Sequence, residues 1–283
     1  ILEARGELEN TIVIVTGDNG MPFPRAKANI YENGCHVPLA VRWGRAAPGR
    51  TLTDFVSFVD LAPTLLALAG VPPPGGMQGR SFAALLHSEA SGRIDPAHDC
   101  VITGRERHAY SRPWNVGYPM RSIVTDAYIY IRNAAPDRWP AGDPDTLGDC
   151  DDGPSKAYLS AHRDTEAERF AHCFGKRPAE ELYRRTPDAA CLANCAADPA
   201  CRETLAALRT SGNVLVLATI FHPDEVRPAA QVPGLPAGED LNEKELDMAA
   251  RLIDSLTAPF APEKYQDDYR KALHELINQK IAG

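Results

Sequence analysis

No stretch of the 283 residues stays apolar long enough to cross a bilayer as a helix. No N-terminal block of basic, then apolar, then small residues reads as a secretion signal. Positive charge is in deficit: 30 Lys and Arg face 38 Asp and Glu, a formal net charge of -8. A global basic footprint for nucleic acid is therefore missing. The seven cysteines, Cys35, Cys100, Cys150, Cys173, Cys191, Cys195 and Cys201, include neither a CxxC pair nor a matching pair of histidines. That argues against a structural zinc site. An odd count leaves at least one thiol free, with one or two disulfides open to an exported protein and no pairing assigned. No internal repeat is present. An initial Met is lacking too, and Ile1 to Gly6 reads as the last turn of a helix with its glycine stop, so a start further upstream is expected.

What is present has the composition of a globular protein, 44% hydrophobic and 24% charged, with chain enough for one or two domains. Thr11 to Thr16 is a continuous β-branched run, the pattern of a strand buried on both faces of a parallel sheet. It ends at once in Gly17-Asp18-Asn19-Gly20. Pro38 to Trp43 reads as a second strand. Phe55 to Ala69 reads as a helix, with Asp60 capping its regular part, Leu61, Leu65 and Leu68 as its stripe, and Gly70 with Pro72 as its stop. This order is α/β. Val101–Thr103, Ser122–Val124 and Tyr128–Ile131 predict a small antiparallel sheet. Residues 136–178, rich in Pro, Gly and Asp, predict a long excursion over the surface. Glu181–Tyr183 predicts a further edge strand, and Asp198 to Arg209 a short helix packed on the sheet. From residue 213 the pattern predicts a strand over 213–219, a Pro-rich linker over 227–238, and two amphipathic helices. The first is capped by Asn242 with Glu245 three residues on, and the second begins at Pro262. The domain boundaries read as 1–98, 99–210 and 211–283.

Asp18 and Asn19 stand at the C-terminal end of the first strand, where open α/β sheets bind ligands. A carboxylate beside an amide carbonyl offers hard oxygen ligands for Ca2+ or Mg2+. Asp-Asn-Gly alone is equally an ordinary turn. Downstream, Lys27-Ala28-Asn29-Ile30-Tyr31-Glu32-Asn33-Gly34-Cys35-His36-Val37-Pro38 sets a basic residue four positions before a tyrosine, then an acidic-Gly turn, then a proline. Together the two segments resemble the sulfatase family. The likeness continues through Phe58–Leu66, Gly79–Phe82, Tyr118–Ser122 and Glu181–Tyr183, most like the heparan N-sulfatase (sulfamidase) branch, and covers about residues 1–209.

The resemblance implies the C-terminal part of an alkaline-phosphatase-like α/β catalytic domain: a mainly parallel sheet with helices, followed by a small antiparallel-sheet subdomain. It implies that Asp18 and Asn19 are two ligands of a Ca2+ or Mg2+ ion. It also implies that Lys27 contacts a sulfate oxygen, a cation offsetting transition-state charge; the competing reading of Lys27 is a solvated loop lysine. Gly104-Arg105-Glu106-Arg107-His108 ends a strand on an edge that faces substrate in that fold. Glu106 and His108 are therefore candidates for binding sugar hydroxyls or an amino group, against a surface salt-bridge cluster. The implied activity is metal-dependent hydrolysis of a sulfate ester or N-sulfate on a sulfated carbohydrate or small sulfate ester. Sulfatases use a formylglycine made within Cys/Ser-x-Pro-x-Arg, whose hydrate attacks sulfur while the metal polarises the sulfate. None of the seven cysteines begins that motif, and Ser111-Arg112-Pro113-Trp114-Asn115 ends in Asn where Arg is needed. The expectation is that the formylglycine lies upstream and that this chain alone is inactive. A phosphatase or phosphonate hydrolase of the wider superfamily is disfavoured by the basic residue before Tyr31.

Val214 to Arg227, Glu243 to Leu256 and Phe260 to Gly283 resemble another family, bacterial Ku, over about 212–283. That likeness implies DNA-end binding or recruitment in double-strand-break repair. Residues 213–283 hold 7 Lys and Arg against 12 Asp and Glu, so DNA binding has little electrostatic support; an amphipathic helix pair that packs on whatever is near is the preferred reading, with self-association through the apolar stripes as its alternative. The two likenesses point to different compartments, export for the sulfatase part and cytoplasm for the Ku part. A fusion, natural, engineered or introduced by assembly, accounts for that.

Overall fold

The computed structural model describes residues 1–44, 46, 49–112 and 116–216, the last six as backbone alone. The chain divides into two units between Leu208 and Arg209, and the strands, the site and the buried clusters all belong to the first. The linker and the two helices expected beyond residue 227 lie outside the described residues, as do Pro113, Trp114 and Asn115.

Four antiparallel strands form the main sheet: β3 (Cys100–Arg105), β4 (Met120–Thr125), β5 (Tyr128–Asn133) and β6 (Glu180–Arg184), in the order β3-β4-β5-β6. Alternation along a strand sends successive side chains to opposite faces. Met120, Val124, Ile129, Ile131 and Tyr183 face one way and bury Ile30, Tyr31 and Tyr118. Ile123, Tyr130 and Leu182 face the other way and bury Cys201 and Leu205 at the start of a helix, α6 (Arg202–Val216). Both faces are covered, which is why Tyr128-Ile129-Tyr130-Ile131 reads as unbroken rather than alternating. The expected edge strand is β6 and the expected packed helix is α6. Because α6 runs through Val216, residues 213–216 are helical and not the start of a strand; residues 217–219 lie outside the described residues.

In the first part of the chain, β1 (Val13–Thr16) pairs with β2 (Leu39–Arg42), and the pair is antiparallel. The parallel arrangement expected from the β-branched run is not what these two strands make. Such a run specifies a strand but not the direction of its neighbour; the connection sets that. Residues 17–38 leave β1, bury Ile30 and Tyr31 against the four-stranded sheet, and return with only a four-residue helix, α1 (Glu32–Cys35). No helix crosses the face of β1 to bring β2 back in parallel. Helix α2 (Leu61–Leu68) and α3 (Ala83–His87) follow, and Leu61, Leu68, Phe82, Leu85 and Leu86 pack with Val41 and Trp43 of the β2 region.

Residues 136–178 differ from the expected surface excursion. They form α4 (Pro154–Ala161) and α5 (Ala167–Phe174), and Leu147, Leu159, Phe170 and Phe174 make a buried cluster of their own. Composition hid this, because four apolar side chains suffice once Phe170 and Phe174 share a helix face.

Candidate functional site

The turn after β1 is clamped rather than loose. Gly20 N donates to the Gly34 carbonyl at 3.1 Å. A Cβ at Gly20 would run into the Asn33 and Gly34 backbone, and one at Gly34 into the Ala26 and Asn29 carbonyls, so close approach demands glycine at both. Asp18 and Asn19 stand exposed at the tip of this turn.

Lys27 follows in the same loop, and its N–H donates to the Met21 carbonyl at 2.9 Å, two residues beyond Asn19. Arg25 and Ala28, on either side, adopt left-handed backbone with φ of 65° and 63°. Non-glycine residues hold that conformation only where the surroundings over-determine it, and here both are fixed. Arg25 is buried with its guanidinium 3.7 Å over the Tyr31 ring; it donates to the Cys191 carbonyl and, at 3.3 Å, to the Tyr183 hydroxyl. The Ala28 carbonyl accepts from Arg105. Tyr31 and Tyr183 in turn donate to the buried Glu181 carboxylate at 2.9 and 2.5 Å. The loop that presents Lys27 is thus tied to β6 from beneath.

Lys27 Nζ donates to Asp151 Oδ2 at 2.8 Å, and His108 Nε2 lies 4.0 Å from Asp151 Oδ1. The three side chains are 27, 36 and 33% exposed for Lys27, His108 and Asp151, so none is sealed from solvent. Two residues earlier, Asp149 is buried and accepts from Arg105 Nη2 at 2.7 Å, Arg112 Nη1 at 2.8 Å and Ala109 N at 2.9 Å. Burial alone would raise its pKa. The Arg105 and Arg112 guanidinium groups and the Ala109 N–H outweigh burial and hold it below the usual carboxylate range. Burial also pulls Arg105 down, but a guanidinium stays protonated in a protein, so the contact is an ion pair. Asp149 fixes the 105–112 loop that carries His108, and Asp151 joins that loop to Lys27.

Glu106 lies elsewhere in its contacts, in an ion pair with Arg121 of β4, while its carbonyl accepts from Tyr118 N at 2.6 Å. The structure therefore brings Lys27 and His108 together through Asp151 and holds the Asp18-Asn19 turn beside Lys27 by backbone bonding. Asp149 and Asp151 escaped the sequence reading. Their only signal was an acidic run, Asp149-Cys150-Asp151-Asp152, inside a stretch that read as surface.

For a divalent cation the fit is incomplete. Asp18 and Asn19 supply two hard oxygens, whereas Ca2+ takes roughly six to eight. Among the described residues no group of three or more His, Cys, Asp and Glu converges to hold a metal. The residues present therefore support no catalytic step through a metal.

Residues 25–99 match the family model described as N-sulphoglucosamine sulphohydrolase, C-terminal. The chain is 30% identical over 209 residues to the ulvan-active sulfatase of Formosa agariphila, covering 74% of this chain and 33% of that protein. It is also 52% identical over 80 residues to the non-homologous end joining protein Ku of Bacillus subtilis, covering 28% of this chain and 26% of that protein. A protein solved in complex with its substrate D-glucosamine-2-N,6-O-disulfate aligns with a TM-score of 0.54 over 80% of this chain and 38% of its own, at 22% identity, a likeness of fold. The chain thus spans a third or less of the length of these sulfatase and Ku relatives.

Proposed function

We propose that this chain, which joins a sulfatase-like segment to a Ku-like segment, supplies one wall of a site that hydrolyses sulfate esters or N-sulfates on a sulfated carbohydrate or small sulfate ester. The observation that carries the reading is the presentation of Lys27 between two left-handed residues, each anchored from beneath, with its ammonium at the surface beside His108. An ordinary solvated lysine needs no such support. In this reading Lys27 binds a sulfate oxygen, Asp18 and Asn19 give two of the ligands of a Ca2+ or Mg2+ ion, and Glu106 and His108 reach the sugar. Asp151 holds the Lys27 ammonium in place until a ligand anion takes it over. The family model and the sulfatase relative support the substrate class.

Sulfate should protect Lys27. At matched ionic strength, sodium sulfate is expected to slow acylation of the Lys27 amine several-fold relative to sodium chloride while leaving Lys156 unaffected, read by peptide mass spectrometry. Equal rates in the two salts would remove Lys27 from the site. Because no Cys/Ser-x-Pro-x-Arg lies within these 283 residues, the purified chain should not turn over an aryl sulfate or glucosamine N-sulfate; measured hydrolysis would overturn that part.

The Ku likeness favours a second reading, a DNA-end-binding or interaction role for residues 212–283. The segment is acidic, and backbone contacts with DNA depend on cations. Self-association through its apolar stripes is the better physical fit.

A further inference from the structure

Cys195 and Cys201 stand in successive turns of the segment that leads from β6 to α6. Asp198 N donates to the Cys195 carbonyl at 3.0 Å, and Cys201 N donates to the Asp198 carbonyl at 2.9 Å. Both cysteines pack against one buried cluster, and each is a free thiol in this structure. Cys201 lies buried among Ile123, Tyr130, Leu182 and Leu205, and Cys195 packs against the same cluster, partly exposed. Each end is anchored separately. Cys195 N donates to the Leu182 carbonyl at 2.7 Å, which ties it to β6, whereas Cys201 ends the turn that starts α6. Arg184 of β6 donates to Cys201 Sγ at 3.1 Å and to Asp198 Oδ2 at 2.9 Å, closing the turn over the strand.

We propose that Cys195 and Cys201 are joined by a disulfide bond that closes the turn between β6 and α6. The oxidant is a low-molecular-weight disulfide such as oxidised glutathione. Cys195, the more accessible thiol, loses its proton and attacks one sulfur of that disulfide, releasing one small thiolate. Cys201 then loses its proton and attacks the Cys195 sulfur, releasing the second. Two protein thiols become one disulfide, and the small disulfide becomes two thiols. During the second attack the Arg184 guanidinium faces the charge passing through the Cys201 sulfur.

Two observations favour a structural cross-link over a reactive pair. Burial, with the neighbouring Cys201 thiol, pushes the Cys195 thiol up to about 11, so it exchanges slowly once formed. Among the described residues no third His, Cys, Asp or Glu joins the two sulfurs as a metal site. Such a bond persists in an oxidising compartment, where the sulfatase-like part is expected to work.

The full chain is equilibrated in a buffer of oxidised and reduced glutathione, quenched, and alkylated in denaturant. The tryptic peptide Thr186–Arg202 contains Cys191, Cys195 and Cys201. The expected result is a single alkyl group, on Cys191, and a mass lighter by two hydrogens than the dithiol form. Further cleavage before Asp198 should leave the fragments 188–197 and 198–202 joined until reduction. The Cys191→Ser chain should keep that linkage. Three alkyl groups on the peptide would overturn the proposal. So would a linkage that disappears in Cys191→Ser, or one that leads to any other cysteine.

Discussion

Asp149 carries two ion pairs on a side chain only 1% exposed, with Arg105 and Arg112 on either side. Removing the charge leaves both guanidinium groups short of their acceptor in a desolvated place. Breaking one partner out of a buried pair costs about 3–5 kcal/mol, and Asp149→Asn is expected to fall in that range in urea denaturation at neutral pH. The pH dependence has a definite sign. The folded pKa is depressed, so the stabilisation is fully present above the unfolded carboxylate value and is lost as pH falls through the folded one. The gap between wild type and Asp149→Asn should therefore shrink in acid. A gap unchanged at low pH would mean that shape, not charge, was lost. Lys27 was legible beforehand because its spacing to Tyr31 is local. Its partner Asp151 is 124 residues away, a pairing that only the folded chain creates.

At the scale of elements, the start of α2 shows how near a local reading comes and where it slips. The sequence places Asp60 as the cap of the regular helix, and Asp60 is the N-cap residue of α2, but its side chain makes no bond to that helix; it is instead the reciprocal partner of Ser57 in a capping box over the preceding 3-10 turn, Phe58–Asp60. Asp60 Oδ2 accepts from Ser57 N at 2.8 Å, and Oδ1 accepts from Arg80 N at 2.7 Å. Both Ser57 and Asp60 are good capping residues, and the Asp60 carboxylate is taken up by Ser57 N and Arg80 N rather than by α2. Ser57→Ala should cost about 1 kcal/mol, the usual loss of a cap. Asp60→Ala orphans two N–H groups and should cost about 2–4 kcal/mol at the usual penalty for an unmet donor. Urea midpoints of the two variants give the comparison. Equal losses would show that the bond to Arg80 adds nothing. The antiparallel strands were easier to read, since β3, β4 and β5 are each marked by a β-branched or aromatic run between turns, whereas α4 and α5 sit in a stretch whose Pro, Gly and Asp content masks them.

For the whole molecule, the least legible feature was which surfaces stay bare. The β-branched run of β1 reads as doubly buried, yet Val15 is 63% exposed and Leu39, paired at the end of β2, is 37% exposed. Among the described residues β1 and β2 pair only with each other, so each presents one unpaired edge. Met21 and Phe23, just beyond the Asp18-Asn19 turn, are also 51% and 53% exposed. Unpaired edges with apolar side chains are templates for another chain. The net charge of -8 is a modest opposing force and is screened at physiological salt. Self-association through this edge is the expected behaviour at micromolar concentration, seen in sedimentation velocity as a weight-average coefficient that rises with loading. Val15→Lys puts a charge on the edge without entering any buried cluster, and it should lower that rise clearly while leaving the far-ultraviolet circular dichroism unchanged. A wild-type chain that sediments as one species across the range would refute the idea. An undiminished rise in Val15→Lys would move the contact away from β1, toward the acidic segment after residue 212 and its apolar stripes.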